Sequence, residues 1–252
     1  MKIVTWNVNS LKVRLAHVLN WLEENQPDVL CLQETKTEDA NFPLAEIQQA
    51  GYQVVYSGQK TYNGVAIISK HAPSDIQMSI PDFTDIQKRV LAATIKEVRV
   101  ICVYIPNGEG LDSEKYQYKL GWLAALHSWL KIELKQYPKL ALLGDYNIAP
   151  EDRDVHDPLA WEGKVLVSEP ERAAFRQLQL LGLRDAYRLF EHPDKTYSWW
   201  DYRMMGFRRN HGMRIDHILI SDAVSCTSCG IDKAPRKLER PSDHTPVWAE
   251  IA

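Results

Sequence analysis

Short apolar runs alternate with longer amphipathic ones along the chain, and the two spacings predict different elements. Residues 2–8 read as a strand. From Ser10 to Glu24 a helix follows, with Leu11, Leu15, Val18, Leu19 and Leu22 on one stripe. Pro27 ends it, and Val29 to Gln33 is the next strand. Runs at Tyr52–Ser57 and Gly64–Lys70 flank Tyr62-Asn63-Gly64, where Asn-Gly supplies turn chemistry for a strand pair. Val90–Ile95 and Val98–Ile105 read as another hairpin. The longest helix spans Asp112 to Gln136, with Tyr116, Leu120, Leu123, His127, Leu130 and Leu134 on its apolar face, so His127 reads as a satisfied core histidine. Leu140–Leu143 is too short for a helix and reads as a buried strand, with Gly144 letting the backbone turn. Ser168 and Glu171 form a capping box that opens a further helix. The last strands are Met213–Ser221 and Pro246–Ile251. Hairpins between some strands and helices between others predict an α/β fold with two mixed sheets face to face and helices outside.

A chain of 252 residues is long enough for one large domain, residues 1–252, and no Gly/Ser-rich or Pro-rich linker divides it. No apolar run reaches the length of a bilayer span. The chain opens directly on a strand-like segment without a signal-peptide layout, so the cytoplasm is the expected compartment. A net charge of −3 speaks against a general nucleic-acid coater but leaves room for an enzyme with basic residues on one face. Cys31 and Cys102 sit inside apolar runs as small core residues. Cys226 and Cys229 have metal or redox spacing, but no second Cys/His pair stands nearby, which favours a structural role.

The chemistry gathers where apolar runs end. Asn7 follows Ile3-Val4-Thr5-Trp6, Glu34 follows Val29–Gln33, and Tyr104 follows Val100–Val103. Asp145 and Asn147 follow Leu140–Leu143, two residues apart, so an extended chain would point both to one side. Asp216 lies in Met213–His217, and Asp243-His244 precedes the final strand. Loops at strand ends on a rigid scaffold are common sites of catalysis. Any one of these residues reads equally well as a turn former or cap; six such places along one chain favour a site. Carboxylate and amide oxygens suit Mg²⁺, Mn²⁺ or a reacting phosphate.

Trp6-Asn7-Val8-Asn9, Leu32-Gln33-Glu34-Thr35-Lys36, Gly144-Asp145-Tyr146-Asn147, Tyr197–Arg203, Arg214-Ile215-Asp216 and Ser242–Trp248 together resemble the ordered motif set of the exonuclease III family. Members of that family are Mg²⁺-dependent DNA-repair nucleases of the endonuclease/exonuclease/phosphatase superfamily. The resemblance implies a four-layered α/β sandwich with the site at one edge of two packed sheets. It implies 3′→5′ exonuclease, abasic-site endonuclease and 3′-end-cleaning activity on duplex DNA with abasic sites or recessed or blocked 3′ ends. The cofactor would be Mg²⁺, with Mn²⁺ as a substitute. Glu34 would be the principal metal ligand, with Asn7, Asp145, Asn147, Asp243 and His244 on or near the ion. Tyr104 and Asn147 would hold phosphate oxygens, Asp216 would orient His244, and Asp145 would handle the attacking water or the leaving group. A monomer is the default oligomeric state.

Between Arg203 and Arg214 the chain carries Arg203, Arg208, Arg209 and Arg214 with no acid, interleaved with Met and Phe. Arginine forks match phosphate, so this segment reads as a DNA-backbone contact or, more blandly, as a solvated basic loop. Lys233, Arg236, Lys237 and Arg240 form a weaker second patch. The resemblance puts Trp199, with Ile215 beside it, at a pocket for an extruded abasic sugar; core packing is the alternative for Trp199. Trp200 and Trp248 are assigned to the core. His156, the segment Trp161–Val167 and Asn9 stand where family members vary, which leaves the ranking of activities open. Two other functions remain open: a superfamily phosphatase acting on a phosphorylated lipid or small molecule, and a non-catalytic DNA-binding module.

Overall fold

The computed structural model describes all 252 residues. Its strands are β1 (Lys2–Asn7), β2 (Val29–Gln33), β3 (Gln53–Ser57), β4 (Val65–Ser69), β5 (Ser74–Gln77), β6 (Val90–Ile95) and β7 (Val98–Tyr104). They continue as β8 (Leu140–Asp145), β9 (Leu183–Asp185), β10 (Trp199–Trp200), β11 (Gly212–Met213), β12 (Asp216–Ser221), β13 (Cys226–Ile231) and β14 (Val247–Ile251). The helices are α1 (Leu11–Asn25), α2 (Leu44–Gln49), α3 (Glu114–Gln136), α4 (Pro158–Trp161), α5 (Glu169–Gln179) and α6 (Gly206–Arg209).

Two six-stranded sheets result, ordered β13-β14-β1-β2-β4-β3 and β5-β6-β7-β8-β12-β9, with β10 and β11 as a separate ribbon. Each sheet holds one parallel pair, β1–β2 with α1 between them and β7–β8 with α3 between them. The neighbouring pairs are antiparallel, so both sheets are mixed as expected. The crossover helices lie on the outer faces. Trp21 and Leu22 of α1 pack on Val4, Trp6 and Leu30, while Trp122, Leu126 and Leu130 of α3 pack on Ile101, Leu140 and Leu142. Burying each of these large side chains contributes roughly 1.5–3 kcal/mol. With the sheets packed face to face between, the fold is a four-layered α/β sandwich.

Strand alternation determines what lies between the sheets. Ile3, Val29, Cys31, Val100, Cys102, Ala141, Leu143, Ile218 and Ile220 form the shared core. Two residues on, the same faces carry Asn7 (through Thr5), Gln33, Tyr104, Asp145 and Asp216. The candidate site is therefore the polar end of the inter-sheet core. Thr5 Oγ donates to Gln33 Oε1 at 3.1 Å, and Gln33 Nε2 reaches Cys102 Sγ at 3.3 Å, stitching one sheet to the other just beneath it.

Several local expectations need correcting. The buried face of α3 carries Tyr116, Lys119, Trp122, Leu123, Leu126, Trp129, Leu130 and Glu133, whereas Leu120, His127 and Leu134 are only half-buried at its margin. His127 makes no side-chain hydrogen bond; the polar groups accommodated on that face are Lys119 and Glu133, the latter paired with Arg99 at 2.7 Å. Strand β8 runs straight through Gly144 to Asp145. Gly144 is required by a close approach, since a Cβ there would lie 1.9 Å from the Val103 carbonyl oxygen. The turn comes at Asn147, with φ +50°. The expected strand 213–221 is split, because Met213 pairs with Trp199 in the ribbon while β12 begins at Asp216. Trp200 is fully buried, whereas Trp248 is half-buried with Lys2 Nζ over its ring. Cys226 and Cys229 are free thiols on β13, where the strand bulges.

Candidate active site

The ends of the two parallel pairs deliver Asn7, Glu34, Tyr104 and Asp145 to one end of the sandwich. Alternation alone would turn Glu34 outward, because Gln33 faces in. A left-handed φ of +51° re-aims it; that conformation costs a non-glycine residue on the order of 1 kcal/mol or more. Asn7 Nδ2 then donates to Glu34 Oε1 and to Asp145 Oδ2, both at 2.8 Å. Asn147 fixes the same carboxylate, its backbone N–H reaching Asp145 Oδ1 at 2.9 Å and its Nδ2 reaching Oδ2 at 3.2 Å. Asp145 and Asn147 thus meet through a turn rather than along an extended strand.

His244 enters from the segment before β14. Trp200 N donates to Asp243 O at 3.0 Å and Thr245 N to Ser198 O at 2.9 Å, which zips this segment against β10. The imidazole Nδ1 lies 2.9 Å from Asp216 Oδ2, and Nε2 lies 3.7 Å from Asp145 Oδ2. Ser198 Oγ donates to Asp216 Oδ2 at 2.6 Å, so the carboxylate that orients the ring is itself held. Burial opposes charge on His244, but Asp216 and Asp145 outweigh it and raise its pKa. Burial, then the charges of Asp216 and Glu34, raises Asp145 against the opposing effect of His244. The group therefore retains a proton that isolated carboxylates would release, and the titration belongs to the cluster. The Tyr104 phenol is pushed well up by burial and by Glu34 and Asp145, so it stays a neutral donor.

One donor atom each from Glu34, Asp145 and His244 lies within 4.8 Å of the others. Lys36 Nζ pairs with Glu34 Oε2 at 2.9 Å, and carboxylate oxygens gathered in this way are the donors a hard divalent cation takes. Of the other expected ligands, Asn7 presents its N–H₂ to the carboxylates while its Oδ1 accepts from Asn9 N at 2.9 Å. Asn147 Oδ1 accepts from Asn107 at 2.9 Å. Asp243 is occupied by Trp199 Nε1 and Asn9 Nδ2, both at 2.9 Å. Burial would raise Asp243, but His244 and these two hydrogen bonds hold it below the usual carboxylate value. Glu34 and Asp145, whose oxygens are likewise engaged by Asn7, Lys36 and Asn147, are the two carboxylates that cluster with His244.

The chain matches the Endonuclease/Exonuclease/phosphatase family over residues 4–244. It belongs to that family. Exodeoxyribonuclease III of Haemophilus influenzae is 37% identical over the whole of both chains. A Neisseria 3′ phosphatase, solved with a product DNA hairpin, superposes with a TM-score of 0.98 at 49% identity, covering 100% of this chain and 99% of that one. An AP endonuclease from Archaeoglobus fulgidus superposes at 0.96 with 41% identity, covering 99% and 98%.

Within this endonuclease/exonuclease/phosphatase chain the arginines expected at DNA divide. Arg208 and Arg209 are exposed and make no ion pair. Arg203 is exposed but paired with Asp201 at 2.7 Å. Arg214 is not available to a partner: it is 1% exposed and bridges Asp154 at 2.7 Å and Asp185 at 2.8 Å. Arg236 of the second patch is also structural, buried against Trp200, Tyr202 and Phe207 and donating to Ser242 O. Trp199 is half-buried, 6.4 Å from the His244 ring. Ile215, 2% exposed, lies in the apolar cluster with Val155, Leu166 and Met213 against which Trp199 packs, so it can support the indole but not line an open pocket.

Two residues absent from the sequence reading support the site. Asn107 bonds Asn147, as described. Lys119, with no exposed side-chain surface, donates to Asn147 O at 2.7 Å and Asn107 O at 3.1 Å and is paired with Glu171. A lysine on the apolar stripe of α3 was the available signal.

Proposed function

We propose that this protein is a Mg²⁺-dependent DNA-repair nuclease that hydrolyses phosphodiester bonds in duplex DNA, at abasic sites and at recessed or blocked 3′ ends. The observation that carries this reading is the convergence of Glu34, Asp145 and the Asp216–His244 pair at one end of the inter-sheet core. Its likeness to exodeoxyribonucleases and to the DNA-bound 3′ phosphatase supplies the substrate class. Glu34 and Asp145 would hold the ion, which on binding offsets phosphoryl charge and lowers the pKa of water.

The protein's own groups supply the rest. Asp145, fixed by Asn7 and Asn147, takes a proton from the water that attacks phosphorus; as the new P–O bond forms, the ester bond to the departing sugar oxygen breaks, and that oxygen takes up a proton from solvent. His244, kept charged by its carboxylate neighbours, donates through Nε2 to a phosphoryl oxygen as negative charge grows there, and Asp216 orients the ring. Tyr104 donates to a second phosphate oxygen. Trp199 stands beside His244 to bound a nucleotide displaced from the stack, which is least costly where the base is already missing. Arg208 and Arg209 hold the backbone without reading sequence.

The test uses duplex oligonucleotides bearing one abasic site, a recessed 3′ hydroxyl or a 3′ phosphate, with and without Mg²⁺. Wild-type protein should process all three only with the ion, and His244→Ala should be at least about 10²-fold slower on each. Mg²⁺-independent cleavage, or full activity of His244→Ala, refutes the assignment.

A further inference from the structure

Asn9 and Asp243 come from opposite ends of the chain and meet beside His244, Asn9 Nδ2 donating to Asp243 Oδ1 at 2.9 Å. The backbone leading to this contact is left-handed on both sides. Asn9 and Ser10 have φ of +43° and +91°, and Arg240, shortly before Asp243, has φ of +49°. Residues other than glycine seldom adopt such values, so the surrounding structure has to hold them there. Asn9 N donates to Asn7 Oδ1 at 2.9 Å and Ser10 N to Glu34 O at 2.8 Å, which fixes the amide side. The carbonyl side is held by Arg14.

Arg14 is half-buried in the first turn of α1. Its Nη1 donates to Asn9 O, Nε to Arg240 O at 3.1 Å, and Nη2 to Pro241 O at 2.9 Å and Tyr202 OH at 3.2 Å. Tyr202 OH in turn donates to Pro241 O at 2.8 Å. One guanidinium thus ties the segment after β1 to the segment that leads into Asp243-His244. Every acceptor is neutral, so these contacts rely on the fixed directions of the guanidinium N–H groups rather than on pairing of charge. A cation reserved for a DNA phosphate would keep its N–H groups free, as exposed Arg208 and Arg209 do; those of Arg14 are directed at the protein. Asn9 passes the constraint on: its Oδ1 accepts from Lys36 Nζ, which pairs with Glu34 Oε2, while its Nδ2 holds Asp243.

We infer that Arg14 is a positioning residue: by fixing Asn9 and the Arg240–Pro241 carbonyls it sets where Asp243 and His244 stand relative to Glu34, without touching substrate itself. The inference rests on the nuclease reading above and adds to it a residue outside the reacting groups on which the rate depends. Lysine at this position would keep the charge but present it at a single point, which cannot reach acceptors on three segments at once. A small displacement of an imidazole or a carboxylate is enough to slow turnover while DNA still binds.

The test is a double-mutant cycle between Arg14 and Asn9, read on an abasic duplex with Mg²⁺ at a temperature where circular dichroism shows every variant folded. Arg14→Lys should lose about tenfold in kcat with KM and the salt dependence of DNA binding little changed. Asn9→Ala should lose a similar factor, and the double variant little beyond either single one, because both changes break the same hold on Asp243. Arg14→Ala should regain part of its kcat when millimolar guanidinium is added and none with ammonium. Wild-type kcat in Arg14→Lys overturns the inference, as do losses that multiply in the double variant. A raised KM and a flattened salt slope in Arg14→Ala, at unchanged kcat, would make Arg14 a phosphate contact instead and equally overturn it. Failure of wild type to cut the duplex refutes the nuclease reading and this inference with it; cutting that is indifferent to Arg14→Lys refutes the inference alone.

Discussion

Asp216 Oδ2 and His244 Nδ1 lie 2.9 Å apart, with Ser198 Oγ on the same carboxylate oxygen at 2.6 Å. The two residues are distant in sequence, and the pair favours the charged imidazolium and sets its direction. Asp216→Asn keeps the shape but removes the charge that favours the protonated ring. Turnover should fall about 10²–10⁴-fold with KM little changed. Steady-state kinetics on an abasic duplex measure this, and near-wild-type kcat would remove Asp216 from the mechanism.

Cation binding has a readout that does not depend on turnover. Millimolar Mg²⁺ should raise the unfolding temperature of the wild type, because an ion bound only by the folded state stabilises it by mass action. Glu34→Ala should abolish most of that increase while leaving the metal-free unfolding temperature within a few degrees. An undiminished Mg²⁺ response in the variant would place the ion elsewhere.

Lys119 and Glu171 form a buried ion pair beneath Asn147, with no exposed side-chain surface on either. Lys119→Met leaves Glu171 charged and unpaired, and the expected loss is about 3–5 kcal/mol. Replacing both, with Lys119→Met and Glu171→Met, should recover much of the stability. Activity should stay low in the double variant, because the Asn147 and Asn107 carbonyls have lost their common donor. Urea unfolding and kcat together separate the two effects, and restored kcat in the double variant would contradict a positioning role.

The arginines should separate by phenotype. Arg208→Ala with Arg209→Ala should raise KM, leave kcat within a few-fold, and flatten the dependence of log K on log salt by about two units, one for each lost phosphate contact. Arg214→Ala should instead destabilise the fold by about 3–5 kcal/mol, since Asp185 loses its buried partner and Asp154 keeps only the half-buried Arg188. Salt titration of DNA binding and thermal unfolding check the two halves.

His217 is buried, with Nδ1 facing Arg214 Nη1 at 2.9 Å and Nε2 facing Ile148 O at 2.8 Å. Burial first, then Arg214, drives its pKa well below the ordinary 6.5. The unfolded chain therefore takes up this proton before the folded one. The stability tied to the neutral ring is intact above pH 6.5 and is lost as pH falls from there toward the depressed folded value. His217→Gln keeps an acceptor and a donor without titrating, so its urea midpoint should fall less than that of the wild type between pH 7 and pH 5. Identical slopes would exclude His217 as a source of acid sensitivity.

Alternation and composition determined much of this by themselves. Apolar runs ending in Asn7, Glu34, Tyr104 and Asp145, or beginning at Asp216, mark strands whose inner faces form the core, because period two is a local property of the backbone. The crossover helices and the capping box at Ser168 were equally legible. The tertiary structure decided what depends on residues far away in sequence. Arg214 reads as a phosphate contact until Asp154 and Asp185 close around it, and Ile215 reads as a pocket wall until Val155 and Met213 cover it. His127 occupies a helical stripe that the packing of α3 rotates onto Lys119 and Glu133. Asp243 precedes the histidine in sequence, yet its oxygens go to Trp199 and Asn9, and Glu34 reaches the site only through a left-handed residue that no periodicity specifies. Whether a charge is free, paired or buried is a property of its distant neighbours, and only the fold brings those neighbours together.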